Sequence, residues 1–413
     1  MDFEKKLDVY AKLLITHGLN VQKGQIVNIT GEIIHRRLIE LLCQEAYRQG
    51  AKHVNVDFID PSLLRGRILN STADEYFTYV PQYVTQRANE FVDDGAAVLR
   101  LLGSEFPESL SDLDPKKINM VTNSTMKALK NYYAEGVGKS RIQWTVAAAA
   151  TPKWGKKIFP ELTEEEACEA LWDQIFKICR VDQPDCLNLW KKHNEALKMR
   201  AQKLTQLKIR ELHFKGPETD LRVFLNKKAL FVGGGSKGPF GDFEPNIPTE
   251  ECFTTPERNL TTGKVKITRP VLVNGKLVKG LQLEFKSGKL IYFDAEEGKE
   301  NFAKYIDNDE GARYLGEVAL VGTDSPIFQS GKVFEEILYD ENAACHIALG
   351  FAYGFCLEEG TKMTPEELAK VGCNVSSIHI DMMISNEEVD VEAITHDEKK
   401  IQLIEKGGWI IVD

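Results

Sequence analysis

Apolar residues in the first part of this chain arrive in two alternating rhythms, and that alternation constrains the fold more than any other feature. Residues 4–18 place Leu7, Tyr10, Ala11, Leu14 and Ile15 at helical spacing, and Gly18 closes the helix. Short apolar runs follow at 26–29, 54–58, 97–102 and 143–147, each the length of a buried strand. Between and after them, helices are predicted over 36–48, stopped by Gly50, and over 124–133. Strand and helix in turn predict an α/β domain with a mainly parallel, doubly wound sheet.

Two long amphipathic stretches, 164–180 and 187–207, end this rhythm. Paired strands replace it. Residues 264–268 alternate strictly. Val271 to Val273, the turn Asn274-Gly275 and then Leu277-Val278 predict one hairpin; 281–285, Ser287-Gly288 and 290–293 predict a second. Helices are expected near 297–305, 341–353 and 364–370. A chain of 413 residues is too long for one ordinary core. The expected organisation is an N-terminal α/β scaffold domain over 1–208, followed by a C-terminal α+β domain with a curved antiparallel sheet over 209–413.

Charge and cysteine usage narrow the function. A net charge of −10 with no dense Lys/Arg block argues against nucleic acid as a partner. No apolar run is long enough to span a bilayer, so no membrane is expected. The opening residues Met1 to Lys6 are charged and precede no apolar core, so no signal peptide is expected. Eight scattered cysteines, none in a CxxC pair, suit a reduced, cytoplasmic protein. The run from Gly233 to Gly238 matches G-x-G-x-x-G, but Pro239 and further turn residues follow where a dinucleotide loop would open a helix. No P-loop occurs.

Three segments carry candidate chemistry. In the run from Ser376 to Ile384, period-2 alternation puts His379 and Asp381 side by side on one strand face, with Ile378, Ile380, Met382 and Ile384 on the other. That pair suits a divalent metal, or a simple His–Asp hydrogen bond on a half-exposed strand. The stretch from Asp340 to Gly354 reads as a capped helix, with His346 and Tyr353 two turns apart on one face. It also reads as a core helix that merely buries both. Glu317 enters the apolar run Val318 to Val321, and Glu251 sits between turn residues and Cys252-Phe253. A carboxylate at an apolar strand edge is costly unless paired, metal-bound or solvated.

Taken in order, Glu-Glu-Cys-Phe-Thr-Thr-Pro (250–256), Gly-Glu-Val-Ala-Leu-Val (316–321), the run 341–353 and Ser-Ile-His-Ile-Asp-Met-Met-Ile (377–384) resemble the aminopeptidase T family, the AmpS- and PepS-like thermophilic-type metalloaminopeptidases. Segments 10–25 and 46–51 resemble it too, so the likeness spans the chain. It implies two divalent ions, zinc, cobalt, manganese or magnesium, held by Glu251, Glu317, His346, His379 and Asp381. Tyr353 would be the catalytic tyrosine, with Glu251 or Glu317 doubling as general base. Where the family reads Gly-Glu-Val-Phe, this chain has Glu250-Glu251-Cys252-Phe253, and register assigns the ligand to Glu251. Three carboxylates balance most of two divalent charges, two imidazoles complete a hard-to-borderline ligand set, and one carboxylate can bridge two metals. The implied activity is removal of N-terminal residues from short peptides by a homodimer whose N-terminal domain and second subunit restrict access. Another dinuclear metal amidohydrolase acting on small metabolites, or a non-catalytic metal-stabilised peptide-binding dimer, fits the same residues.

Overall fold

The parallel sheet forms where the rhythm places it. In the computed structural model, which describes residues 1–273 and 275–410, strands β1 (Ile26–Glu32), β2 (His53–Ile59), β3 (Ala97–Leu102) and β4 (Gln143–Ala148) pair in the order β2-β1-β3-β4, all parallel. Helix Phe3–Leu13 is capped by Asp2, whose side chain accepts from the Lys5 backbone N–H at 2.9 Å. Its buried Tyr10 donates its hydroxyl to the Ala148 carbonyl at 2.9 Å, fastening the helix to the end of β4.

The chain divides into two units, Met1–Lys191 with Gly235–Pro248, and Lys192–Gly234 with Thr249–Asp413. This differs from the single cut expected at residue 208. Helix Cys186–Gln206 runs through the division, and the short strand Asn246–Ile247 returns to add a fifth parallel strand beside β4. A two-residue strand carries too little apolar pattern to be read from sequence.

The second unit is antiparallel. Its larger sheet has eight strands, bent by bulges at Glu284/Phe285, Val391/Glu392 and Ile394/Thr395. The hairpin strands Val271–Val273 and Lys276–Val278 pair as predicted, although Asn274 of the turn lies outside the described residues. A smaller sheet positions the candidate chemistry. Its order is Cys252–Thr254, Leu315–Leu320, His346–Gly350, His379–Met383, antiparallel throughout. Alternation gives it two distinct faces. Cys252, Val318, Leu320, Ile347, Leu349, Ile380 and Met382 join one core with residues of the larger sheet such as Phe214, Val223, Leu283 and Val391. Burying each such aliphatic or aromatic side chain contributes about 1.5–3 kcal/mol, which holds the small sheet rigidly in place. The polar residues are left on its other face.

The helix expected over 341–353 does not form. A 3-10 turn over Glu341–Ala343 leads instead into the strand His346–Gly350, buried at every position. The run is apolar on both faces, so it shows neither period, and its alanines favour a helix in isolation. Pairing with strands on both sides overrides that preference.

Candidate metal centre

Register brings the polar face together. Glu317 and Asp381 both lie opposite Ala348, one on each neighbouring strand, so the smallest chiral side chain separates the two acids. His379 lies opposite Gly350, one step along. Glu251 enters from just before the edge strand. His346, opposite Ala319, points to the same face from the strand start rather than from a helix.

The resulting geometry is a shared carboxylate between two histidines. Glu317 Oε1 is 3.6 Å from His346 Nε2, and Glu317 Oε2 is 3.5 Å from His379 Nε2. His346 Nε2 lies 3.3 Å from Glu251 Oε2, and His379 Nε2 lies 3.2 Å from Asp381 Oδ1. Two groups, Glu251–Glu317–His346 and Glu317–His379–Asp381, therefore each converge three ligand atoms within 4.8 Å, with Glu317 in both. All five residues brought forward from the sequence meet here.

The donor set suits divalent cations. The other ring nitrogen of each histidine faces a backbone carbonyl: His379 Nδ1 is 2.9 Å from the Phe351 oxygen, and His346 Nδ1 is 3.3 Å from that of Ala344. Donation from Nδ1 there would leave each Nε2 available to a cation among the carboxylates, the usual support of a metal-ligating imidazole. Glu251 Oε2 is buried and has no hydrogen-bond partner. Among the described residues, the ion pairs of Glu251, Glu317 and Asp381 are all with these two histidines.

Electrostatics point the same way. Burial raises the Glu251 carboxyl. Burial opposes charge on His346 and His379, but the neighbouring carboxylates outweigh it and hold both rings well above the usual imidazole value. Burial would also raise Asp381, yet His379 beside it holds that carboxyl low. Positive charge is therefore strongly favoured at this spot.

Tyr353 stands after the strand, not on a helix face with His346. Gly350 turns the chain with φ +107°, and the Tyr353 ring packs 5.3 Å from the His379 ring. Burial, then the charges of Glu317 and Asp381, push its phenol well above the ordinary value, so it remains a hydrogen-bond donor. The turn leaves no room for a side chain: a Cβ on Gly350 would lie 2.0 Å from the Ile378 carbonyl oxygen. Gly350→Ala is expected to cost at least about 3 kcal/mol from backbone strain and overlap, measured as a lower urea midpoint.

Two residues here escape a reading of sequence alone. Glu341 is half-buried, and burial followed by the charges of Asp381 and Glu251 pushes its carboxyl well above the ordinary value. It is a fourth acid facing the cluster, and only its place just before an apolar run hints at it. Asn342, fully buried, accepts from the Glu250 backbone N–H at 2.7 Å and donates to the Leu338 carbonyl at 3.0 Å. It ties the segment bearing Glu251 to the turn bearing Glu341. Asn342→Leu is expected to destabilise by about 2–3 kcal/mol, because both backbone groups lose a buried partner; urea unfolding measures it.

Glu250 is turned elsewhere. Its Oε2 lies 3.4 Å from His193 Nε2, which also meets the Thr249 carbonyl at 2.8 Å. Cys252 is packed in the core, its thiol 3.6 Å from the Leu197 carbonyl, as a filler would be. A surface cavity of about 360 Å³, lined by Lys208, His396, Asp397 and Lys399 among others, contains none of the cluster residues.

Known proteins resemble this chain over nearly its whole length. Residues 3–409 match the family model described as thermophilic metalloprotease (M29). Aminopeptidase T of Thermus thermophilus is 38% identical over 410 residues, covering 99% of each chain. Aminopeptidase 2 of Geobacillus stearothermophilus is 36% identical over 408 residues, covering 98% of each. The solved structure of wild-type AmpT from Thermus thermophilus superposes with a TM-score of 0.92, covering 99% of this chain and 100% of that one. The chain belongs to the thermophilic metalloprotease (M29) family.

Proposed function

We propose that this chain is a metal-dependent aminopeptidase that releases N-terminal residues from short peptides, using two divalent cations held by Glu251, Glu317, His346, His379 and Asp381. The observation that carries the two-ion reading is the division of the Glu317 oxygens between two histidine-containing groups. The exopeptidase reading rests on the relatives, which are named aminopeptidases over nearly their full length. Zinc, cobalt, manganese and magnesium all suit the mixed oxygen and nitrogen donors.

When bound, such a pair of cations makes a water acidic and neutralises charge developing on a carbonyl oxygen. The chain's own groups do the rest. Glu251, whose Oε2 accepts no hydrogen bond, or Glu317 takes up the proton of the attacking water. The Tyr353 phenol, protonated at neutral pH like any ordinary tyrosine, donates to the developing oxyanion. Both candidate ligand groups lie in the second unit, which supports a scaffold role for the first. A homodimer that shields the centre would restrict substrates to short peptides; a monomer that degrades folded proteins, seen by size-exclusion chromatography and digestion, would contradict it. Eight scattered cysteines, none in a CxxC pair, support a reducing compartment such as the cytoplasm.

The test is a panel of aminoacyl-anilides with N-acetylated controls, run beside metal analysis of the same protein. Free-amine substrates are expected to turn over at least about a hundredfold faster than their acetylated forms, because a site built around the amine leaves buried polar groups unpaired without it. Chelation is expected to abolish turnover, and added zinc, cobalt or manganese to restore it. Equal hydrolysis of acetylated substrates, or full activity after chelation, would refute the proposal.

A further inference from the structure

Next to the acidic cluster stands an aromatic surface of which the chemistry above uses only the Tyr353 hydroxyl. Phe253 lies opposite Ala319 on the Cys252–Thr254 strand, so it shares the face that bears Glu317. The segment after Gly350 supplies Phe351, Tyr353 and Phe355, each two residues from the next. Tyr353 is the hub, with ring centroids 5.5 Å from Phe351, 6.0 Å from Phe253 and 5.1 Å from Phe355. Phe253 and Phe355 also meet, at 6.2 Å. Tyr353 joins this cluster directly to the metal centre through its contact with His379.

These rings are not core. Phe351 is 45% exposed and Phe355 37% exposed. Their backbone is nonetheless tightly held. The Phe351 N–H donates to the Ile378 carbonyl at 2.7 Å, and its own carbonyl faces His379 Nδ1. The Tyr353 carbonyl accepts from the Thr255 hydroxyl at 3.0 Å and from the Cys356 N–H at 3.1 Å. A clustered, partly exposed apolar surface on a rigid frame, touching a reaction centre, is the description of a preformed ligand wall.

We infer that Phe253, Phe351 and Phe355 form the wall that receives the first side chain of the substrate, and that the enzyme selects peptides beginning with a large apolar or aromatic residue. This rests on the aminopeptidase reading. An exopeptidase must place its first residue's amine and carbonyl at the centre, so the first side chain leaves from the same point. Here the neighbouring surface consists of uncharged rings, which reward apolar contact and offset-stacked or edge-to-face packing.

The test compares metal-loaded wild-type, Phe351→Ala and Phe355→Ala proteins on phenylalanyl-, leucyl-, alanyl-, lysyl- and aspartyl-anilides. Wild type is expected to prefer phenylalanyl over alanyl substrate by at least about tenfold in kcat/KM, a discrimination typical of an apolar pocket. Each substitution is expected to shrink that ratio at least about fivefold, chiefly through KM on the phenylalanyl substrate. Calorimetric binding of L-phenylalaninol against L-alaninol provides a readout independent of turnover. If nothing in the panel is hydrolysed but wild type still prefers phenylalaninol and Phe351→Ala loses that preference, the wall stands and the aminopeptidase reading falls. The inference is overturned if alanyl or lysyl substrate is preferred, if both substitutions lower all substrates equally, or if neither assay distinguishes the two side chains.

Discussion

Replacing Glu317 by glutamine is expected to lower kcat/KM by at least about 10³-fold, since losing several kcal/mol of cation-supplied stabilisation corresponds to that factor. The reason is its double membership. Its two carboxylate oxygens face different histidines, at 3.6 and 3.5 Å. An amide keeps one acceptor oxygen, replaces the other with a donor and removes the charge. Both ligand groups lose the shared charge, and one of them loses its ligand atom, in one substitution. His379→Ala and Asp381→Ala strip only the second group, so they are expected to leave about one ion per chain where wild type holds about two. All three should abolish most activity, with Glu317→Gln retaining the least metal. Elemental analysis and turnover on the same preparations decide the matter. A Glu317→Gln protein that keeps wild-type metal content and rate would remove the basis for a shared carboxylate.

Tyr353→Phe separates chemistry from metal binding. The phenol belongs to neither ligand group, so metal content should be unchanged. Loss of one oxyanion donor is expected to lower kcat about 10²- to 10³-fold with little change in KM. The ring itself persists, so its packing on His379 and the neighbouring phenylalanines is retained. Full kcat in this variant would assign the oxyanion to another group. Loss of metal instead would mean that the hydroxyl supports the ligands.

How much of this is legible in sequence depends on how local each cause is. His379 and Asp381 are two residues apart on an alternating strand, so their shared face follows from strand geometry alone. The parallel sheet follows from the spacing of apolar runs, and the hairpins from their turn residues. His346 is different. Its run is apolar on both sides and has no period; only pairing with strands from 315–320 and 379–383 makes it a strand. The choice between Glu250 and Glu251 is likewise non-local, because His193 on the long helix engages the first. Asn342 acts through a backbone N–H some 90 positions earlier, which no spacing rule reveals. The return of 235–248 to the first unit depends on a two-residue strand. Resemblance supplied the ligand set where local pattern left His346 on the wrong kind of element.

At Phe351 the main chain and the side chain answer to different demands. The carbonyl steadies His379, whereas the ring stands 45% exposed. Every residue type carries that carbonyl, so a substitution at position 351 exchanges the ring and leaves the imidazole's backbone partner in place.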